Sequence, residues 1–271
     1  MFADDAKVLR RVKTLEDCSM LQIDLNKLYE WSKTWNMAFN AEKCKILEMG
    51  ISQRRPRYEY KLGNEKLNKA VQEKDLGIVI QDNLSPESHV NKLVRESLSL
   101  LANIRMTFTY LDENIMKKII TTIIRPKLEY AVTTWAPHMG KHKDKLEKVQ
   151  RVATKMIPGM DGKNYEERLK ILNLPTLEQR RKRGQQIQLF KVVRGMEKID
   201  QESFIERDYG ERTRGHDYKL ILPTSKSDVK NKRFPFNSIL KWNELPARVV
   251  SAPSVSSFKD QYDQLMKIGG N

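Results

Sequence analysis

Two adjacent carboxylates, Asp4 and Asp5, follow an aromatic residue in the run Phe2-Ala3-Asp4-Asp5. Adjacent acids in a tight turn repel one another unless a cation sits between or beside them, and Mg²⁺ accepts both carboxylate and phosphate oxygens. Such a turn can hold metal for phosphoryl transfer. Taken alone the tetrad is short enough to arise by chance, and its plainest reading is a solvated chain end. A second concentration of charge lies at Lys141, Lys143, Lys145, Lys148, Arg151 and Lys155, with only Asp144 and Glu147 among them. A helix surface of that kind suits phosphate contacts along a duplex, although many charge runs are merely solvated faces. Arg180, Arg181, Lys182 and Arg183 form a tighter basic run, read as nucleic-acid contact, as a nuclear-import patch, or as another solvated face. His89, His138, His142 and His216 show no metal-ligand spacing. Cys18 and Cys44 fall on different elements with no CxxC or neighbouring His, so no zinc site or disulfide is expected and both thiols read as reduced fillers.

The composition agrees with a polyanionic partner. Among 271 residues, 50 Lys and Arg face 35 Asp and Glu, for a net charge of +15. A surplus of that size attracts nucleic acid or an acidic surface. No apolar stretch approaches the roughly 20 residues that span a bilayer, which leaves nucleic acid as the expected partner and no membrane. Nothing at the N-terminus reads as a signal peptide, so the expected location is intracellular, nuclear or cytoplasmic. With 39% hydrophobic residues the chain can build a core.

The elements that must position these residues change character along the chain. Ala6 to Leu9 is a short strand candidate. A helix is expected from about Leu15 to Met37, with Leu21, Leu25, Leu28, Trp31 and Trp35 on its packed face. Lys43 to Met49 reads as a strand, Tyr58 to Leu67 as a hairpin about Gly63-Asn64, and Leu76 to Gln81 as a strand able to pair with that hairpin. From Ser85 the periodicity becomes helical: Val90 to Phe108, then Glu113 to Arg125 capped by Asp112, then a new segment from Pro126, then a fourth helix through Leu146, Val149, Ala153 and Met156. Tyr165 to Gly195 reads as two helices broken near Leu174-Pro175. Residues 201–232 are polar and without period, as a linker would be, and two last helices run to Leu245 and from Ser254 to Met266. The expected fold class is α+β, predominantly helical.

The order of these segments resembles one family. FADDAKVLRRVKTLEDCSMLQIDLNKLYEWSKTWNMAFNAEKCKILEMG is similar to the stretch from motif C through motif D of reverse transcriptases of non-LTR, LINE-type (jockey-like) retrotransposons. LGNEKLNKAVQEKDLGIVIQDNLSPESHV resembles that family's primer-grip region, and IIRPKLEYAVTTWAPHMGKHKDKLEKVQRVATKMIPG its thumb. YEERLKILNLPTLEQRRKRG and FPFNSILKWNELPARVVSAPSVSSFKDQY are similar to its closing segments, so the likeness covers nearly the whole chain.

The resemblance implies a partial palm over 1–83, a helical thumb over 84–160 and a C-terminal region over 161–271. It implies RNA-directed DNA polymerisation with Mg²⁺ as the parent activity, on an RNA template and an RNA/DNA or DNA duplex. Asp4 and Asp5 would hold catalytic metal, Lys43 would lie near the incoming nucleotide, and Leu76 and Gly77 would touch the primer end. The family's motif A carboxylate and fingers lie upstream of the Asp-Asp turn, and this sequence contains neither. The chain alone is therefore expected not to extend a primer. The alternative is a non-enzymatic nucleic-acid-binding protein that uses the thumb and C-terminal region.

Overall fold

A computed structural model describes residues 6–50, 56–210, 215–222 and 231–266, and Asp4 and Asp5 lie outside them. The fold is α+β, and its residues divide into two compact units, 1–88 and 89–271.

In the first unit, helix α1 (Leu15–Thr34) starts at a capping box: Asp17 N–H donates to the Thr14 hydroxyl at 3.2 Å, and Thr14 N–H donates to the Asp17 carboxylate at 2.9 Å. Such reciprocal bonds satisfy two donors that a helix start leaves open. The packed face of α1 is Cys18, Leu21, Leu25, Tyr29 and Ser32. This corrects the expected face, because Trp35 at the helix end is 65% exposed and Trp31 is also exposed. Residues 28, 31 and 35 sit one position off the buried stripe.

The small strands follow: β1 (Lys45–Leu47), β2 (Lys61–Leu62), β3 (Glu65–Lys66), β4 (Asn68–Ala70), β5 (Gln72–Asp75) and β6 (Ile78–Gln81). They pair as three two-stranded ladders, β1 with β4 in parallel, β2 with β3 and β5 with β6 antiparallel. The β2–β3 turn is the expected one at Gly63, whose φ is +62°. Here only glycine fits, since a Cβ would stand 2.4 Å from the Tyr29 ring. Gln22 secures β2 by pairing its amide with the Lys61 backbone, donating at 2.8 Å and accepting at 2.9 Å.

Two strand expectations need correcting. Ala6 to Leu9 is exposed and pairs with no strand among the described residues. Strand β6 pairs not with the 58–67 hairpin but with β5, because Leu76 and Gly77 both take positive φ (+45° and +88°) and turn the chain straight back. Two successive positive φ values give the tight turn whose twist matches that of antiparallel strands.

The second unit is helical. Helix α2 (Glu87–Thr107) buries Val90, Leu93, Ser97, Leu101 and Ile104. Asp112 caps α3 (Glu113–Ile119), accepting from Ile115 N–H at 2.8 Å. Pro126 stands in the first turn of a new segment, α4 (Arg125–Glu129), as expected, and one wide π turn (Ile120–Ile124) joins that segment to α3. Pro126 has no N–H, and its ring would strike the carbonyl four residues back in a regular helix, so widening that turn removes the clash. The same turn keeps Met116, Ile120, Ile124 and Leu128 buried at a strict spacing of four.

Helices α5 (Val132–Trp135), α6 (Gly140–Lys155), α7 (Tyr165–Ile171), α8 (Leu177–Val193) and α9 (Gln201–Phe204) follow, and α6 packs against both α7 and α8. The last three are α10 (Phe236–Asn243), α11 (Ala247–Val250) and α12 (Val255–Met266). Phe190 stacks on Phe258 with centroids 4.4 Å apart, and both join Trp242 and Tyr262 in an aromatic core.

The described parts of 201–232 are not all linker. Ile205 and Leu220 are buried in that same core, and Arg207 bridges Leu220 as a minimal antiparallel pair. Polar sequence hid this because the buried contacts are few and are held by side-chain clamps. Asn243 accepts from Leu220 N–H at 3.0 Å and donates to Leu220 O at 2.8 Å.

Candidate nucleic-acid interface

Helix α6 is polar on two sides, and the two sides do different work. Its inner side carries Leu146, Val149 and Ala153 together with the buried Glu147, Gln150 and Thr154. Gln150 accepts from the Arg125 guanidinium at 3.1 Å and donates to the Tyr165 hydroxyl at 3.0 Å and to Pro175 O at 3.1 Å. The Tyr165 hydroxyl donates to Glu147, which also accepts from Leu177 N–H at 3.2 Å. Arg125 completes the net by donating to Pro175 O at 2.8 Å. Burial lowers the Arg125 pKa to about 10, with Arg180 nearby adding to the effect, and burial and the Glu147 charge hold the Tyr165 phenol above its ordinary range. These bonds lock the rotation of α6 against α4, α7 and α8. An unsatisfied buried polar group would cost about 1–3 kcal/mol, so the network tolerates little slippage.

With that rotation fixed, the outer side is defined. Lys141, Asp144, Lys148, Arg151 and Lys155 are exposed, at steps of three and four that place them on one face. The stripe runs roughly 21 Å at 1.5 Å per residue. Arg151 also lies over the Tyr165 ring at 5.1 Å, which steadies its guanidinium. The six basic residues singled out in the sequence therefore split. Lys143 bonds Glu178 at 3.0 Å and Lys145 bonds the Asn91 side chain at 2.8 Å, so both tie α6 to its neighbours.

The run from Arg180 to Arg183 does not form one exposed cluster. Arg180 pairs with Glu129 at 2.5 and 2.9 Å, and Arg183 pairs with Asp263 at 2.5 and 2.6 Å. Arg181 is 5% exposed, and only Lys182 stands out, at 67% exposure of its side chain, beside Glu178. Four consecutive helical residues point around the whole circumference, so a basic run of four cannot share one face. Nothing in the run itself marks which partner lies on each side.

The remaining expected residues lie in the first unit. Lys43 is exposed in the turn after Asn40, whose side chain accepts from Lys43 N–H at 3.2 Å. Leu76 and Gly77 form the exposed tip of the β5–β6 hairpin. Among the described residues no three His, Cys, Asp or Glu side chains gather to hold a metal ion. Asp4 and Asp5, the expected metal ligands, lie outside the described residues. Cys18 and Cys44 are free thiols, the first buried and the second half-buried with its pKa raised by burial. No helix among the described residues is long and apolar enough to cross a membrane. The chain matches no protein-family model, no curated protein and no solved structure.

Proposed function

We propose that this protein binds nucleic acid through the outer face of α6, as the thumb of a LINE-type reverse transcriptase would hold a template–primer duplex. The observation that carries this reading is the exposed stripe of Lys141, Lys148, Arg151 and Lys155 on a helix whose rotation is fixed by buried bonds. Four cations along roughly 21 Å match phosphates on one strand, and contacts to phosphate carry no sequence information. The net charge of +15 adds attraction that is likewise blind to sequence. In this reading Asp4, Asp5 and Mg²⁺ belong to the parent polymerase activity, and the contribution of the thumb is to grip.

The test is the affinity of the full chain for an RNA/DNA hybrid duplex at several salt concentrations. Four phosphate contacts give a log–log slope of about −3 to −4. Reversing Lys148, Arg151 and Lys155 to Glu lowers affinity for every sequence alike and brings the slope to about −1 or weaker. A control reverses Lys27, Lys170 and Lys198, which are exposed elsewhere, and makes the same change in net charge. Equal losses in the two variants would sink the assignment of α6, leaving only diffuse charge.

A further inference from the structure

At the C-terminal end of α8 an open-sided depression of about 370 Å³ is lined by Val193, Arg194, Gly195, Gln201, Arg207 and Tyr218. Among the described residues no carboxylate lines it. Both arginines lie over the Tyr218 ring, Arg194 at 5.1 Å and Arg207 at 5.9 Å from its centroid. Arg194 donates to the Tyr218 hydroxyl, and Arg207 donates to Val193 O at 2.6 Å. A guanidinium has five N–H donors, so these bonds leave several of each arginine's donors for a ligand. Neither arginine has a carboxylate partner among the described residues. Two cations brought to one aromatic ring without a counter-charge repel each other, and an anion between them relieves that repulsion.

A helix C-terminus ordinarily disfavours anions, because its last carbonyls point outward. Here that objection is met locally. Val193 O is covered by Arg207, and the Phe190 and Val192 carbonyls accept from the Arg194 backbone N–H. Gly195, at φ +68°, turns the chain away without a side chain, and a Cβ there would press on the Gln201 amide at 3.1 Å. Gln201 can therefore reach the mouth as a further donor.

Tyr218 is held rigidly. Its N–H donates to His216 Nδ1 at 3.1 Å, and its carbonyl accepts from Trp242 Nε1 at 2.7 Å. The other nitrogen of His216 faces Trp242 O at 3.1 Å, which fixes the proton on Nε2. The floor of the depression is thus anchored in the aromatic core and does not depend on a ligand for its shape.

We propose that this depression is a binding site for a phosphate monoester, either a mononucleotide or the 5′-phosphorylated end of a strand. A terminal phosphate carries about two negative charges near neutral pH, against one for a backbone diester, and so matches two guanidinium groups that no described carboxylate pairs. Planar guanidinium forks bond phosphate oxygens in pairs, and the volume lies in the range of pockets that take small ligands, leaving room for the attached sugar. The site is separate from the α6 stripe and does not rest on it.

The experiment titrates the full chain at low salt with adenosine 5′-monophosphate, adenosine, a 5′-phosphorylated hexanucleotide and its 5′-hydroxyl counterpart. At least one of the two phosphorylated probes is expected to bind about tenfold or more tighter than its unphosphorylated partner, the worth of one charge-assisted bond. Tight nucleotide binding identifies the small-molecule source, and preference confined to the oligonucleotide identifies the strand end. Arg194→Gln removes about tenfold of the phosphate preference, and Arg194→Lys restores part of it. Tyr218→Phe keeps the ring, releases an Arg194 donor and leaves the preference intact or larger, which separates loss of the ligand contact from loss of the fold. Reversal of Lys148, Arg151 and Lys155 leaves the preference unchanged, so failure of the α6 reading and failure of this one are told apart. Equal affinity for phosphorylated and unphosphorylated probes, or an Arg194→Gln variant with unaltered preference, overturns the proposal.

Discussion

Single residues in this protein carry constraints set by what lies across from them. Gly63 is the sharpest case, since its positive φ suits glycine and the Tyr29 ring already occupies the space of a Cβ. Gly63→Ala is expected to cost about 2–3 kcal/mol through backbone strain and displacement of Tyr29. Urea unfolding followed by tryptophan fluorescence measures it, and a change below 0.5 kcal/mol, roughly the noise of surface substitutions, would contradict the packing described. His89 sets a pH dependence. It is buried edge-on against Trp135 with ring centroids 4.9 Å apart, and burial lowers its pKa to about 4 from an ordinary 6.5. The unfolded chain therefore takes up a proton near pH 6.5 that the folded chain refuses until about pH 4. The His89 contribution to stability is full above the unfolded value and is lost as pH falls through that window. Relative to His89→Phe, the natural protein should lose about 2 kcal/mol between pH 7 and pH 4.5. Parallel stability curves for the two would show that His89 is not held neutral.

At the scale of elements, periodicity gave the helices and their caps because it depends only on neighbours along the chain. Asp112, the Leu174-Pro175 break and Ser254, which accepts from Ser257 N–H at 3.1 Å, were legible for that reason. What periodicity could not supply was the partner across the gap. Trp31 and Trp35 read as packed because they are large and apolar, yet Cys18, Tyr29 and Ser32 take that face of α1. The count of six basic residues in α6 was legible, while their division was not, because Glu178 and Asn91 lie far away in sequence. That division is itself testable. Lys143→Glu with Lys145→Glu should lower stability by about 1 kcal/mol, the scale of partly exposed ion pairs, and change the salt slope by about 1 or less. A slope loss as large as that of the Lys148, Arg151 and Lys155 variant would place the binding face elsewhere on α6.

The molecule as a whole divides its stability unevenly. In the first unit the core cluster is Cys18, Leu25, Tyr60, Leu62 and Leu67, and its sheets have two strands each, an arrangement marginal in water without further packing. Large side chains such as Trp31, Trp35, Met37 and Leu76 remain exposed there. In the second unit α8 contributes Leu189, Phe190, Val192 and Val193 to one cluster with Trp242, Phe258 and Tyr262, and the Arg183–Asp263 pair joins α8 to α12. Backbone amides exchange with solvent through local opening, and the free energy of opening follows the apolar area that must be exposed. Amides in the middle of α1, near Leu25, should therefore exchange through an opening that costs several kcal/mol less than amides near Phe190 in α8. Native-state hydrogen exchange on the full chain, in rising low concentrations of denaturant, reads both at once. Merging of the α1 and α8 isotherms at the lowest denaturant would mean that the two units open together, against the separation of their cores.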